Sequence, residues 1–464
     1  MSGVYDATEE SLPVSRRRSR SRFRQKGRGV NVVPDAKDGD RPEVEKLPRH
    51  RWFEPERIPA SERAQAVVDD VLNQVQNYEK YYSLRKRARK QADQLTFEAM
   101  VTAVVSDLMF NHVSGEEPGI AITRSKTKLG RKSRYSSPVM GKRLPALLDQ
   151  LCTPEMDFLR QEKGSQEYFK DNRATTIYPT NRLVSRIEVH EVQVDDLATQ
   201  KYRETIVLKR PKNGPLDSGG YIEYDDTKLT RQYRAEMEKI NQYLQEANVD
   251  FDDSVRSDKI VADVRDRRLR RVFTNGSFES GGRLFGGFWQ PLSKIQRREG
   301  LTIDDEPVLT LDYSQMALRI AYGEVRAEPP SEDGYVLPGF EEYREAVKMI
   351  FNSALCCDKR PSRAPKGTRE HLPKKIAFMQ VLMTLEAHHG ALIPLLYRGE
   401  GHRIQFLESQ ILVAVLLELQ RLGIVSLPIH DAVIVAESAA DRAKEVMEGV
   451  FQERTGVRAI VAPE

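Results

Sequence analysis

The run Gly423-Ile-Val-Ser-Leu-Pro-Ile-His-Asp-Ala-Val-Ile-Val-Ala436 is apolar on both sides of a central His430-Asp431. Apolar segments flanking two polar residues predict a buried hairpin, strand–turn–strand, with the pair at its tip. Two-residue hairpin turns favour Asn-Gly or Asp-Gly, whose backbones enter the left-handed region at low cost. His-Asp is an unusual choice at such a tip. A carboxylate held at a sheet end as a ligand for a divalent cation explains it. An ordinary turn aspartate is the alternative.

A second carboxylate has a similar setting. In Val308-Leu-Thr-Leu-Asp-Tyr-Ser-Gln-Met-Ala-Leu-Arg-Ile320 an apolar strand ends at Asp312, and a helix begins within a few residues. Beside exposed backbone carbonyls, Asp312 suits a hard cation. It would equally serve as a helix N-cap. If both strands share one sheet, the two aspartates stand side by side. Such a pair can hold two Mg²⁺ ions for phosphoryl or nucleotidyl transfer. A third segment, Leu372-Pro-Lys-Lys-Ile-Ala-Phe-Met-Gln-Val-Leu-Met383, is predicted as a helix with Pro373 in its first turn. Lys374 and Phe378, four apart, would then share a face, the cation for phosphate and the ring for a base. A surface lysine beside a core phenylalanine fits the same pattern.

The first half reads differently. Residues 1–47 are rich in Arg, Ser, Pro, Asp and Glu and are expected to be disordered. Ser15 to Arg28 carries eight basic residues and no acidic one, which favours polyanions. Tyr78 to Lys90 mixes aromatics and cations on an expected helix, and Ser125 to Tyr135 is a basic loop. The net charge is only +4, from 73 basic and 69 acidic residues, so the clusters rather than the average point to a nucleic-acid surface across 78–135. Helix is expected over 60–112 and again over 137–151, with Pro138 in the first turn of the second and Leu144, Leu147, Leu148 and Leu151 inward. A hairpin follows, Met156–Arg160 with Ala174–Tyr178, around a polar loop. Helix, basic loop, helix, hairpin over 90–185 is the order of a winged helix and equally of a plain α+β packing module. Arg186–Val192 and Glu204–Lys209 read as strands, 226–248 as an amphipathic helix, and the acidic stretch Asp250–Asp258 as a boundary. No apolar run is long enough to span a membrane, and no apolar segment follows the basic N-terminus as a secretory signal would require. Three cysteines are too few for a disulfide framework, so a cytoplasmic setting is expected.

The motifs resemble the palm and fingers of family A nucleic-acid polymerases. Asp312-Tyr-Ser-Gln-Met-Ala-Leu-Arg-Ile is similar to that family's motif A, and Pro428-Ile-His-Asp-Ala-Val-Ile-Val to its motif C. Gly281-Gly-Arg-Leu284 resembles the Thr-Gly-Arg-Leu stretch before motif A, and Arg403-Ile-Gln-Phe-Leu-Glu-Ser409 the helix that touches template-primer. Lys374-x3-Phe378 matches part of the fingers helix. The resemblance covers about 270–460. It implies an α+β fold over 251–464, with an antiparallel palm sheet and helical fingers; the region before it, 48–250, is expected from its own patterning and basic clusters to be a mainly helical, α+β nucleic-acid-binding region. The resemblance implies catalysis by Asp312 and Asp431. These bind two Mg²⁺, which Mn²⁺ can replace, with Tyr313 completing the metal set. It places Lys374 and Lys375 on the triphosphate, Phe378 on the nucleotide, Arg283 on the primer end or the incoming nucleotide, Gln405 on the template-primer, and His430 at the primer terminus.

The departures carry their own expectations. Ala317 stands where the family has a glutamate that crowds the sugar 2′ position, Leu382 and Met383 replace its Tyr-Gly, and Ala432 replaces the motif C glutamate. Relaxed sugar selection follows, with Ala317 at the nucleotide. Arg369 lies five residues before Lys374 where the family has four. No acidic exonuclease pattern precedes residue 250, so proofreading is not expected. The expected activity is a DNA-directed DNA polymerase acting on template-primer and nucleoside triphosphates, in a mobile-element-type protein. The rivals are an RNA polymerase or primase on the same palm, a template-independent nucleotidyl transferase, and a non-catalytic replication initiator.

Overall fold

The computed structural model describes residues 50–464 other than 116–118, 165–173, 201–203, 215–216, 218 and 256–262. The basic tail, the hairpin-loop residues Asp171–Arg173 and much of the acidic stretch after Val255 lie outside the described residues. In chain order the first part comprises β1 (Arg51–Trp52), β2 (Arg57–Pro59), α1 (Glu62–Tyr81), α2 (Gln91–Val113), β3 (Ile120–Ile122), α3 (Lys126–Leu129), α4 (Leu144–Leu151), β4 (Leu159–Glu162), β5 (Thr175–Pro179), α5 (Asn181–Val189) and β6 (Leu197–Thr199). The sheet order is β1-β3-β5-β4, with β4 and β5 as the expected hairpin. β3 completes it by pairing antiparallel with β5. Apolar faces of α1, α2 and α4 close over it, forming one buried cluster from Phe53 to Leu197.

Three local expectations are corrected. The aromatic and basic stretch 78–90 is not one helix: α1 ends at Tyr81 and Ser83 turns the chain with φ 48. Five cations between Arg85 and Lys90 would repel one another at one-turn spacing, so a helix there is disfavoured. The second helix starts at Leu144 rather than Ser137, and Pro145, not Pro138, sits in its first turn. Its inward leucines are those expected. Arg186–Val192 is not a strand. Leu183 and Ile187 are buried one turn apart on α5, while Val189 is exposed, so the apparent alternation was one face of a helix.

The second part comprises β7 (Ile206–Leu208), α6 (Lys228–Glu246), β8 (Val249–Phe251), β9 (Leu269–Phe273), β10 (Gly281–Gly286), α7 (Lys294–Gly300), β11 (Leu301–Ile303), β12 (Glu306–Tyr313), α8 (Met316–Glu324), α9 (Arg344–Cys356), α10 (Thr368–His371), α11 (Phe378–His388), α12 (Gly401–Arg421), β13 (Ser426–Ile429), β14 (Ala432–Ala436), α13 (Ala440–Thr455) and β15 (Val461–Pro463). Glu204–Lys209 thus yields a strand, and α6 buries Tyr233, Met237, Ile240 and Leu244 as its spacing requires. The main sheet runs β13-β14-β12-β11-β8, with β15 also on β12. β8 holds Asp250, so the chain has already joined this sheet where the acidic stretch begins. A second buried cluster extends from Ile206 to Val461.

The clusters meet through arginines. Arg57 reaches Asp263 at 2.8 Å, Arg268 reaches Glu54 at 2.6 Å, and Arg265 donates to the carbonyls of Val194 and Leu197. The protein is therefore a mixed α and β fold whose main sheet is antiparallel throughout, in line with the α+β expectation, while β1 with β3 and β7 with β9 pair in parallel.

Candidate active site

β12 is the centre of the site. It pairs with β14 at Leu311↔Val433 and with β15 at Asp312↔Ala462. Asp312 lies inside the strand, and α8 begins only after Gln315, so it caps no helix. Its Oδ1 is buried with no hydrogen-bond partner. Burial pushes the Asp312 carboxyl up to about 6, and the charges of Asp431 and Glu464 push the same way. The backbone amide of Tyr313 and the ammonium of Lys348 oppose them.

Asp431 stands where the hairpin predicts. β13 and β14 pair at Ile429↔Ala432, leaving His430-Asp431 as a two-residue turn. His430 takes φ 55 and is exposed. Pro428 is tolerated because β13 is an edge strand. Its carbonyl accepts the Trp289 indole at 2.9 Å and Gln290 at 3.1 Å. Trp289 is fully buried. These bonds clamp the hairpin from behind.

The partner strand pair brings Arg283. β9 and β10 shift register between Gly281 and Arg283. Gly281 and Gly282 have φ +74 and +80, and a Cβ on Gly282 would meet Ser409 Oγ at 2.6 Å. This bulge, open only to glycine, aims Arg283 at α12. Arg283 donates to Glu408 at 3.1 Å. Burial pushes the Glu408 carboxyl up to about 7, Arg283 lowers it, and Asp431 raises it. Arg271, wholly buried, ties the same strands to α12 through Ser409 at 3.0 Å and Gln410 at 3.2 Å.

The remaining expected residues divide. Gln405, on α12, lines a cavity with Arg283. Ala317 is in the first turn of α8, half-buried. The Tyr313 phenol is buried and donates to the Met447 carbonyl at 2.7 Å, so the side chain is turned to the core and could meet no cation. The helix predicted from Pro373 begins instead at Phe378. Lys374 and Lys375 sit in the exposed turn before it, and Phe378 is 5 % exposed in the core. Lys374 and Phe378 therefore share no helix face. Pro373 and Lys374-Lys375 favour a turn, while the apolar content of 376–385 lets the helix begin only where burial begins.

Lys348 stands outside the residues expected from the sequence. It is exposed on α9, yet its charge is felt at Asp312. Arg344, one turn earlier, is held by Asp333 at 2.5 Å and lies 5.5 Å from the Tyr335 ring centroid. The available signal was Arg344-x3-Lys348, two cations at one-turn spacing in a strongly amphipathic segment.

No group of three or more His, Cys, Asp or Glu is gathered for a metal among the described residues. The donor set is two electrically coupled carboxylates, one with an orphaned buried oxygen. That suits Mg²⁺, which takes its remaining ligands from water and phosphate.

No family model matches the chain, and no curated protein matches it in sequence. Among solved structures it is similar to the POL domain of Pol1 from M. smegmatis in complex with DNA primer-template and dNTP, at 13% identity and a TM-score of 0.29. The alignment covers 88% of this chain and 66% of that one, so the chain spans less than two thirds of its neighbour.

Proposed function

We propose that the second part of the chain is a nucleotidyl-transfer palm of the family A type, acting as a DNA-directed DNA polymerase. One observation carries the reading. Asp312 on β12 and Asp431 at the β13–β14 turn form a charge-coupled carboxylate pair whose inner oxygen has no protein partner. Nothing in the packing needs that pair, and burying two like charges opposes folding. A cation and its polyphosphate substrate give it a purpose.

Asp312 and Asp431 would hold Mg²⁺, with the Tyr313 carbonyl in reach. A metal held there would supply charge that lowers the pKa of an attacking hydroxyl and neutralises a leaving pyrophosphate. The chain's own groups position the rest. Lys348, with Lys374 and Lys375 from the turn before α11, meets the triphosphate. Arg283 and Gln405 orient primer and template, and the exposed His430 supports the primer terminus. Catalysis is then mostly placement and charge neutralisation. Ala317 leaves the sugar 2′ position uncrowded, so ribonucleotides are accepted more readily than by a glutamate-bearing relative.

The first part is read as a nucleic-acid-binding module. The order α2, β3, α3, α4, β4, β5, with β3 beside β5, supports a winged helix. α4, however, exposes Ala146 and Asp149, and Asp149 is held by Arg124 at 2.6 Å. The cations lie instead before it, Lys126 and Lys128 on α3 and Arg131 and Lys132 in the loop that follows. Phosphate contact there fits better than base reading by α4.

The test is extension of a primed DNA template with Mg²⁺, giving dNTPs and rNTPs in separate reactions. Extension by the wild type and its loss in Asp312→Ala/Asp431→Ala is expected. Products unchanged in the double variant would end the reading. Initiation without a primer would favour the second reading, an RNA polymerase or primase, for which Ala317 speaks.

A further inference from the structure

A cavity of about 630 Å³ opens against Arg283, and neither aspartate lines it. One wall is the turn after β7, with Lys209 and Lys212. Another is the β9–β10 hairpin with Phe285, and a third is the start of α12 with His402 and Gln405. No carboxylate lines it among the described residues. The turn after β7 lies before residue 270, outside the stretch whose motifs resemble a polymerase.

Described residues of the turn are tied to one another. Arg210 grips Asp217 in a fork at 2.6 and 3.0 Å, and Asp217 also accepts the amides of Asn213 and Gly219 at 2.9 and 3.0 Å. This knot commits Arg210 and leaves the two lysines for a ligand. Lys209 Nζ rests 5.6 Å from the Tyr221 ring centroid, and Lys212 is exposed. Phe285 is 47 % exposed, an open ring on the cavity wall. Cations meet phosphodiesters, and an exposed ring stacks on a base whatever its identity. The volume falls within the roughly 300–1,000 Å³ of sites that take small ligands. It suits nucleotide units of one strand rather than a duplex. Arg283 joins the cavity to Glu408, and so to the neighbourhood of Asp431.

We infer that this cavity holds the primer strand beside its reacting end, with Lys209 and Lys212 on its phosphates and Phe285 against a base. The inference rests on the polymerase reading for the name of the strand. Its binding chemistry can be tested without any reaction.

The experiment measures binding of a fluorescently labelled primed template by the full chain, by anisotropy, from about 50 to 200 mM salt. Wild type, Lys209→Ser/Lys212→Ser, Lys209→Arg/Lys212→Arg and the surface control Lys239→Ser are compared. Loss of two phosphate contacts should flatten the log–log salt slope by roughly 1.4–1.8 and weaken binding about tenfold or more at low salt. The arginine pair should keep the wild-type slope, and so should Lys239→Ser. A slope unchanged in the serine pair, or lowered equally in the control, overturns the inference. So does unchanged DNA affinity with a raised KM for free dNTP, which would make the cavity a nucleotide site. A wild type that never extends primers, yet shows the expected slopes, would sink the polymerase reading and leave the strand-binding cavity standing.

Discussion

Arg283 donates to Glu408 across 3.1 Å, and Glu408 in turn feels the charge of Asp431. The arginine that faces the cavity therefore also sets the charge behind the aspartate pair. Glu408 is nearly fully buried and its carboxyl is pushed up to about 7, against an ordinary value of 4.5. A raised carboxyl contributes stability that is complete below about 4.5 and lost as pH rises through 7.

Arg283→Ala sharpens that loss. At pH 5 Glu408 is neutral in both proteins, and their stabilities should differ little. At pH 8 the variant must either bury an unpaired carboxylate or take up a proton against the pH, at a cost of roughly 1–3 kcal/mol. Urea unfolding at the two pH values measures it. A deficit equal at both would show that the arginine acts by packing alone.

Asp312→Asn should stabilise the metal-free protein. The wild-type carboxyl, raised to about 6 from 3.8, contributes stability present below about 3.8 and lost as pH rises through 6. A neutral amide escapes that loss. The gain at pH 8 in EDTA should be on the order of 1 kcal/mol after solvent screening of a part-exposed group, and should vanish near pH 4. Thermal melts at both pH values decide it. The same variant should lose primer extension, so stability and activity move in opposite directions.

Lys348→Ala should cut kcat/KM for the incoming nucleotide by about tenfold to a hundredfold, the worth of one charged hydrogen bond at roughly 1.5–3 kcal/mol. Lys374→Ala and Lys375→Ala should each cost less, because Lys348 is the lysine whose charge is felt at Asp312. Steady-state kinetics with varied nucleotide ranks the three. A larger loss at Lys374 would return the triphosphate role to the turn before α11.

Trp289→Phe keeps a buried ring but removes the indole bond to the Pro428 carbonyl. Gln290 still donates there, so the fold should survive with a loss of about 1–2 kcal/mol. The hairpin tip loosens, and kcat should fall while KM for nucleotide stays near wild type. An unchanged kcat would mean that Gln290 alone holds the hairpin.

Some of this was legible in the chain and some was not, for physical reasons. The His430-Asp431 hairpin and the strand ending near Asp312 announce themselves because apolar runs bounded by polar residues have few other uses. The inward faces of α4 and α6 follow from one-turn spacing for the same reason. Arg186–Val192 misled because a short amphipathic helix and a short strand both give alternating letters, and only the buried partners choose between them. Lys374 misled differently. Its spacing to Phe378 fits a helix, but helix starts are set by where burial and backbone partners begin. Lys348 is brought to Asp312 by the packing of α9 against the core, a long-range fact that no local pattern contains. Glu408 is similar: in the chain it sits between Leu407 and Ser409 like any exposed helix glutamate, and only the bulge at Gly281–Gly282 shows which arginine answers it.

The order of strands in the main sheet bears on how the protein is made. β12 emerges from the ribosome with its hairpin partner β11 but long before β14 and β15, its neighbours on the opposite side and along its end. Until then an apolar strand edge stands open to any other chain. Expression at low temperature, or with a chaperone that shields strand edges, should raise soluble yield, whereas fragments stopping between α8 and β13 should go into inclusion bodies.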